Sequence, residues 1–355
     1  MKRILLLSVI IAMFAACNSG TNNSKKSADK KSVAITAAGA TFPLPFYNMI
    51  FKKYSSESGT LVTYGGIGSG GGIRSLKDRL VDFGATDAFL SESKMKDLPA
   101  EIVHIPTCLG AVVIAYNLPG YDGIKLTPDL LAGIFMGEIT KWNDAKIQAN
   151  NKDLIMPNKQ ITVVYRSDGS GTTNIFSDYM SKISTEWASE IGVGKSLNWK
   201  TGIGAKGNPG VAGTIQATEG SVGYVGSEYA FEQNIQTALL KNAAGNYIKP
   251  SIQSISASAQ GDLPANTCIM LTNSSAVDAY PISGFTWLIL YKEQNYNNRS
   301  FAQAEATLKL LDWVVSNEAQ SSASKVNYAP LPEKAVKQAK EILRSVTFNG
   351  EVILK

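Results

Sequence analysis

The sequence has few of the residues on which most catalytic and metal sites depend. Its 355 residues include three cysteines and one histidine. A nucleophilic serine or cysteine needs a neighbouring base, usually histidine, and the single His104 lies among Ile102, Val103 and Ile105, a context typical of a packed strand. These counts argue against a Ser-His-Asp or Cys-His hydrolase and against a His-rich metal site. We therefore expect no enzyme, no metal and no cofactor.

The sequence also lacks an apolar run long enough to span a bilayer, which takes about 20 residues. Its start, "MKRILLLSVIIAMFAAC", has basic residues, a short apolar stretch and small residues before Cys17, the pattern of a secretory signal over residues 1–16. Ala15-Ala16-Cys17 resembles a bacterial lipobox, which predicts acylation of Cys17. An ordinary cleaved signal and an uncleaved anchor are the alternatives.

Positive charge is concentrated in one place. Residues 17–32 are polar, have no apolar periodicity, and contain Lys25, Lys26, Lys30 and Lys31, which account for much of the formal net charge of +5. We interpret this segment as a flexible tether. The rest of the chain is nearly neutral and has no basic stripe, so we expect no nucleic-acid partner.

Two cysteines remain beyond Cys17, and they are far apart in the sequence. Export permits a disulfide, but Cys108 and Cys268 each lie in an apolar context. We expect two buried free thiols.

Short apolar strands alternate with amphipathic helices along residues 33–355, which indicates an α/β fold with mainly parallel sheets. The pattern predicts, among others, two separate strands at 102–106 and 110–117 and a packed helix at 303–316. No internal repeat follows the tether.

Three segments share one local design, in which a strand leads through small residues into a helix. They are "AGATFPLPF" from Ala38, "YGGIGSGGGIRSL" from Tyr64 and "YRSDGSGTTNIF" from Tyr165. Each leaves unpaired backbone N–H groups at the start of a helix, where the helix dipole is positive. Phosphate or sulfate is the kind of ligand that such helix starts bind.

Other glycine-rich motifs are weaker. Residues 66–71 and 202–207 both match GxGxxG, but export removes most of the case for a dinucleotide, and the second match lacks a clear preceding strand. Gly194-Lys195-Ser196 resembles the end of a Walker loop, but Ser189 stands where that motif requires glycine. We interpret both GxGxxG matches as anion or turn loops and find no P-loop.

The side chains near the three loops suit a tetrahedral oxyanion. Arg166 offers a planar fork for two oxygens. Asp87 can only accept hydrogen bonds when ionised, although a cap or turn role is the alternative. Asp168 is placed to orient the Arg166 fork, or else stabilises its own turn. The expected donors are the hydroxyls of Thr41, Ser69, Ser170 and Thr172 and the backbone amides near Phe42, Gly171 and Thr172.

At these residues the chain strongly resembles the periplasmic phosphate-binding proteins of Pst-type ABC transporters. The similarity covers nearly all of the chain after the tether and lies in six blocks that run in family order, namely Ala37–Pro43, Gly65–Gly72, Val81–Ser91, Val163–Thr172, Gly202–Ala212 and Pro281–Leu290. The resemblance implies a two-lobed periplasmic-binding-protein fold of type II with the ligand in the interlobe cleft.

The resemblance also implies the site and the lobes. The expected phosphate contacts are Thr41, the Phe42 backbone, Ser69, Asp87, Arg166, Ser170, Gly171 and Thr172. Gly70 stands where the family often has a second serine, so a hydroxyl is lost there while the backbone N–H remains. We expect lobe I at 33–108 plus 284–355 and lobe II at 109–283, with hinges near 106–112 and 280–284.

The function expected from the resemblance is phosphate binding outside the cytoplasmic membrane and delivery to an ABC permease. We expect a monomer, anchored by lipid in the periplasm or at the cell surface. Binding of another oxyanion, such as sulfate or molybdate, and a phosphate-sensing surface role are the alternatives. Because phosphate keeps a proton near neutral pH and sulfate does not, an acceptor at Asp87 favours phosphate.

Overall fold

The computed structural model describes residues 33–355, so the predicted signal, Cys17 and the tether lie outside the described residues. The strands are β1 (Ala34–Gly39), β2 (Leu61–Gly66), β3 (Phe83–Thr86), β4 (Ile102–Tyr116), β5 (Lys125–Leu126), β6 (Thr162–Arg166), β7 (Ile203–Ala205), β8 (Ser221–Gly226), β9 (Gln236–Thr237), β10 (Leu239–Lys241), β11 (Tyr247–Ile248), β12 (Ser283–Tyr291), β13 (Thr347–Phe348) and β14 (Glu351–Val352).

Helices connect these strands. They are α1 (Leu44–Ser58), α2 (Ser69–Lys77), α3 (Glu92–Lys96), α4 (Pro128–Met136), α5 (Ala145–Asn150), α6 (Gly171–Ile183), α7 (Thr185–Glu190), α8 (Gly207–Ala217), α9 (Ser227–Glu232), α10 (Ile252–Ala257), α11 (Phe301–Val314), α12 (Asn317–Gln320) and α13 (Glu333–Arg344). The helix predicted at 303–316 corresponds to α11, whose Leu308, Leu310 and Leu311 are buried.

The main sheet has two halves that share β4, and its strand order is β2-β1-β3-β12-β4-β8-β6-β7. In one half β1 pairs in parallel with β2 and β3, and in the other β6 pairs in parallel with β7 and β8. The centre differs, because β12 and β4 run antiparallel to their neighbours. The predicted two-lobed α/β fold is confirmed, whereas the mainly parallel sheet is correct only for the outer strands.

Strand β4 is continuous through residues 107–109, so the prediction of two separate strands there is wrong. Its first part, up to Ala111, pairs with β12, and its second part, from Val112, pairs with β8. Pro106 cannot donate a ladder hydrogen bond, and prolines in sheets are found at edges or bulges. Here the register between β4 and β12 shifts next to the Pro106 pair, between Thr286 and Trp287. The irregularity accommodates the proline and keeps the strand intact.

The remaining sequence expectations concern single side chains. His104 is buried in β4, where its Nε2 accepts the Leu90 N–H at 3.1 Å, and burial lowers its pKa to about 4. This confirms a packed strand histidine. Cys108 and Cys268 are both free, but Cys268 is partly exposed, so the expectation of two buried thiols holds only for Cys108. Within residues 33–355 no helix has the length and apolar character needed to cross a membrane.

Helix α2 packs directly on the backbone of the sheet at Gly72. A Cβ added there would lie 2.6 Å from Gly39 Cα and 2.7 Å from the Ala38 carbonyl oxygen. Backbone atoms cannot move aside as a flexible side chain can, so the helix itself would have to shift. The close approach of α2 to β1 therefore depends on glycine at this position.

We expect Gly72→Ala to lower the free energy of unfolding by about 1–3 kcal/mol, the usual cost of overpacking. Gly213→Ala in α8 is the matched control, because a Cβ there meets nothing within 4 Å and alanine favours a helix by up to about 1 kcal/mol. Urea unfolding followed by circular dichroism measures both. Equal stabilities of the two variants would contradict the packing argument.

Candidate functional site

The structure brings the sequence-predicted site residues together at one buried place between the two halves of the sheet. Thr41 and Phe42 follow β1, Ser69 starts α2 after β2, and Asp87 follows β3. The residues from Arg166 to Thr172 join β6 to α6 in the other half. All eight predicted contact residues are buried, namely Thr41, Phe42, Ser69, Asp87, Arg166, Ser170, Gly171 and Thr172.

Two helices begin at this place, one from each half. Helix α6 starts at Gly171, and its N-cap Ser170 accepts the Thr173 N–H through Oγ at 3.0 Å. The Ser170 hydroxyl proton stays free to point elsewhere. Helix α2 starts at Ser69 with no side-chain cap. Helix starts carry unpaired N–H groups and partial positive charge, so both favour an anion between them.

Arg166 is held by a two-point contact with Asp168, as the sequence predicted. Arg166 Nε donates to Asp168 Oδ1 at 2.7 Å, and the terminal Nη2 donates to Oδ2 at 2.6 Å. Burial alone would raise the pKa of Asp168, but the hydrogen bonds and charge of Arg166 outweigh it, and the pKa is lowered. The other terminal nitrogen, Nη1, donates to Thr172 Oγ1 at 3.3 Å. The guanidinium therefore has one fixed orientation.

Asp87 lies in a different environment, with a pKa raised to about 7, chiefly by burial. Thr286 donates to its Oδ1 at 2.8 Å, Ser69 donates to its Oδ2 at 3.2 Å, and the Arg166 charge also opposes the rise. Near neutral pH the Asp87 carboxyl therefore exchanges between acid and carboxylate. The ionised form accepts a proton-bearing ligand oxygen, and the neutral form lowers the negative charge of the site.

Sequence reasoning missed Asn208, which connects the two halves. Its Nδ2 donates to Thr41 Oγ1 and to Thr172 Oγ1, both at 3.1 Å, and its Oδ1 accepts the Gly226 N–H at 3.1 Å. The second GxGxxG match, residues 202–207, could have indicated Asn208. The strand that this motif requires, β7, lies within the match itself, and α8 begins at its last residue, Gly207. Thr286, in the middle of β12, was also missed, since nothing local separates it from a core threonine.

The halves also meet through glycine backbone. Gly70 N–H donates to the Gly169 carbonyl oxygen at 2.8 Å, and Gly171 N–H donates to Ser69 Oγ at 3.1 Å. The Gly70 N–H that the sequence left for a ligand is thus bound to Gly169 in this structure. The cleft is closed, with the residues of both halves in direct contact.

This arrangement, with two α/β halves joined by crossing strands and buried polar groups between them, is that of a solute-binding protein. A sequence model of the PBP superfamily domain matches residues 19–318. The chain is 38% identical over 325 residues to the phosphate-binding protein PstS of Xylella fastidiosa strain 9a5c, covering 90% of this chain and 87% of the relative. It is 38% identical to PstS of Haemophilus influenzae, covering 86% and 91%.

The protein belongs to the PstS family within the PBP superfamily. Solved structures support the fold. A phosphate-binding protein from Stenotrophomonas maltophilia superimposes with a TM-score of 0.67 at 20% identity, covering 90% of this chain and 96% of that one.

A second buried carboxyl lies beside the cleft at Glu228, the second residue of α9. It is 1% exposed, and neither of its carboxyl oxygens has a hydrogen-bond partner among residues 33–355. Burial raises its pKa well above the ordinary value. A buried carboxylate without partners is costly, so Glu228 is held in its neutral form.

We expect this group to make the protein less stable as pH rises. A folded pKa above the unfolded one gives stability that is complete below the unfolded pKa, about 4.3, and is lost as pH rises toward the folded pKa. Glu228→Gln removes the titration. Its free energy of unfolding should exceed that of the parent by a margin that widens as pH rises above about 4.3, by at most about 1.4 kcal/mol per pH unit.

Glu232→Gln is the matched control, because Glu232 lies on the same helix and is exposed. It is the same substitution at an exposed position and should leave the pH dependence of the free energy of unfolding as in the parent. Parallel profiles for Glu228→Gln and the parent would show that Glu228 does not titrate abnormally.

Proposed function

We propose that this protein binds inorganic phosphate in the cleft between its two halves and delivers it to the permease of an ABC transporter. The observation that carries the proposal is the convergence of two helix starts and one arginine on a buried place that also holds an acceptor carboxyl. The relatives named PstS are phosphate-binding proteins, which supports the same ligand here. Binding and delivery, without catalysis, is the activity proposed.

The proposed contacts are those expected from the sequence. Arg166 supplies a fork for two phosphate oxygens. The hydroxyl and backbone donors come from both halves, so closure surrounds the anion with them. Ser69 and Gly171 would exchange the hydrogen bonds that they make in this structure for bonds to the ligand. The donors are Thr41, the Phe42 amide, Ser69, Ser170, Gly171 and Thr172, with Gly70 and Asp168 in supporting positions.

Asp87 is the residue proposed to select phosphate. A phosphate O–H donates to the Asp87 carboxylate, whereas sulfate presents a bare oxygen and leaves the buried acceptor unpaired. The ionised carboxylate makes this discrimination, whereas the neutral acid can donate to a bare oxygen, so the rejection of sulfate should strengthen as pH rises above about 7. The same argument disfavours molybdate, which is fully deprotonated near neutral pH.

The two lobes are proposed at 33–108 plus 284–355 and at 109–283, moving about hinges near 106–112 and 280–284. The change of partner along β4, from β12 at Ala111 to β8 at Val112, supports a boundary in that region. Hinge closure around a ligand is common in two-lobed binding proteins. The closed form would present one continuous face to a permease.

The location proposed is the periplasm or cell surface, with the protein anchored as a lipidated monomer. The support is the lipobox-like Ala15-Ala16-Cys17 and the polar segment that follows. One lipid chain holds a protein only weakly at a membrane, and stable anchoring takes more than one, which the multiply acylated cysteine of a lipoprotein would supply.

Calorimetric titration of the purified protein with phosphate and sulfate at pH 8.5, where Asp87 is mainly ionised, tests the function. The parent should bind phosphate much more tightly than sulfate. Asp87→Asn should weaken phosphate binding and narrow the discrimination by at least about tenfold, because an amide can donate to a bare sulfate oxygen. Arsenate shares the proton and charge of phosphate, so its titration measures any discrimination that the Asp87 acceptor does not supply.

Two results would count against these assignments. Tight sulfate or molybdate binding by the parent would assign the cleft to another oxyanion. Unchanged rejection of sulfate by Asp87→Asn would leave phosphate as the ligand but remove Asp87 as the selecting residue.

Asp168 has a separate expected effect. Asp168→Asn keeps the shape of the side chain but loses one of the two oxygens that accept hydrogen bonds from Arg166, so the guanidinium is less well oriented. The substitution also makes the net charge of the site more positive. We expect phosphate affinity to fall severalfold at high salt and to depend more steeply on ionic strength than in the parent. Calorimetry at 20 and 500 mM NaCl measures both. An affinity and salt dependence equal to those of the parent would limit Asp168 to stabilising its turn.

A further inference from the structure

Two of the hydroxyls proposed to bind phosphate already accept as many hydrogen bonds as a hydroxyl oxygen can. Thr41 Oγ1 accepts the backbone N–H of Asn208 and one hydrogen of its side-chain Nδ2, with both nitrogens at 3.1 Å. Thr172 Oγ1 accepts from Asn208 Nδ2 at 3.1 Å and from Arg166 Nη1 at 3.3 Å. A hydroxyl has two lone pairs and one proton, so only the proton of each threonine remains available.

Neither proton is used within the part of the chain that the structure describes. Among residues 33–355, the Thr41 and Thr172 hydroxyls take part only in the bonds that they accept. Both residues are buried. Ser69 differs, because its hydroxyl donates to Asp87 Oδ2 at 3.2 Å. A buried O–H without an acceptor costs free energy, and an oxygen of an anion in the cleft would supply that acceptor.

The direction of these bonds is set by the orientation of the Asn208 amide. Asn208 is fully buried as the second residue of α8. Its Oδ1 accepts the Gly226 N–H at 3.1 Å, and because a backbone N–H can only donate, the amide oxygen must face Gly226. Nδ2 therefore faces the two threonines, and its two hydrogens go one to each. A rotated amide would present its oxygen to the threonines and a donor to the Gly226 N–H.

We propose that Asn208 is a positioning residue of the phosphate site, which fills the acceptor positions of Thr41 and Thr172 and so directs both hydroxyl protons to the ligand. This rests on the proposed phosphate function and adds a residue that the phosphate contacts do not include. The two threonines bind the anion without giving up any bond that they make in this structure, so their part of the site is preorganised. An acceptor for the ligand proton remains at Asp87.

A role in tying the two halves together is the alternative for Asn208, and Thr172 separates the two roles. With the lobes proposed above, Thr41 lies in lobe I, whereas Asn208 and Thr172 both lie in lobe II. The bond from Asn208 to Thr172 therefore lies within one lobe. If Asn208 only ties the lobes, its removal costs the same affinity with or without the Thr172 hydroxyl. If it directs the Thr172 proton, the cost falls when that hydroxyl is absent.

A double-mutant cycle of Asn208→Ala and Thr172→Val, measured by the phosphate calorimetry described above, tests this inference. Without Asn208 each threonine can turn and present a lone pair to the anion, so we expect Asn208→Ala alone to weaken phosphate binding by about tenfold. In the Thr172→Val background the same substitution should cost at least about threefold less. Equilibrium dialysis with labelled phosphate replaces calorimetry where binding is too weak to titrate.

Asn242→Ala is the matched control. Asn242 is a buried asparagine of lobe II whose Nδ2 donates to the carbonyl oxygens of Val277 and Ala279 at 2.8 and 3.2 Å. Its Oδ1 accepts the Asn246 N–H at 3.0 Å, so the variant loses the same kinds of bond without touching a proposed phosphate contact. It should keep phosphate affinity within about twofold of the parent. Thermal unfolding shows whether each variant is folded, and Asn208→Leu replaces Asn208→Ala if the latter is not.

The inference can fail while phosphate remains the ligand. Phosphate affinity of Asn208→Ala within about threefold of the parent would show that the threonines need no direction. Losses that differ by less than about threefold between the two backgrounds would reduce Asn208 to a tie between the lobes. A loss in Asn242→Ala equal to that in Asn208→Ala would assign the effect to general stability. A parent that binds no phosphate would instead overturn the proposed function.

Discussion

The pairing of Arg166 with Asp168 is the interaction on which the site depends. An arginine that is 3% exposed must have its charge and its donors satisfied. Asp168 does this and also accepts the Gly207 N–H at 3.0 Å, which fixes the start of α8 and with it Asn208. Asn208 then donates to a threonine in each half. One carboxylate thereby aligns the arginine, a helix start and the hydrogen bonds that close the cleft.

Much of this arrangement could be predicted from the sequence because it is local. A strand, a run of small residues and a helix start follow one another within about a dozen residues in three places, so each loop could be recognised without its neighbours. The bond between Arg166 and Asp168 spans two positions in the chain and was equally accessible. The meeting of the three loops could be predicted on two grounds. Each loop follows a strand of an α/β fold, and the family resemblance implies that their residues share one site.

The features that could not be predicted depend on partners far away in the chain. Asn208 contacts Thr41 across 167 positions, and Thr286 contacts Asp87 across 199. Polar residues of this kind look like ordinary turn or core residues until the chain folds. Pro106 and Gly110 are local signals for a break within β4. The irregular pairing with β12 overrides them, and this also depends on a distant strand.

The contact of Gly70 with Gly169 has a consequence for the size of the cavity. The 2.8 Å hydrogen bond between the Gly70 nitrogen and the Gly169 oxygen leaves little room for closer approach, and a Cβ on either glycine would lie 3.2–3.3 Å from the Cα of the other. Their contact limits how closely the two loops can approach, and it is made of backbone atoms, which neither titrate nor change rotamer. We therefore expect the limit of closure at this contact to be independent of pH and salt.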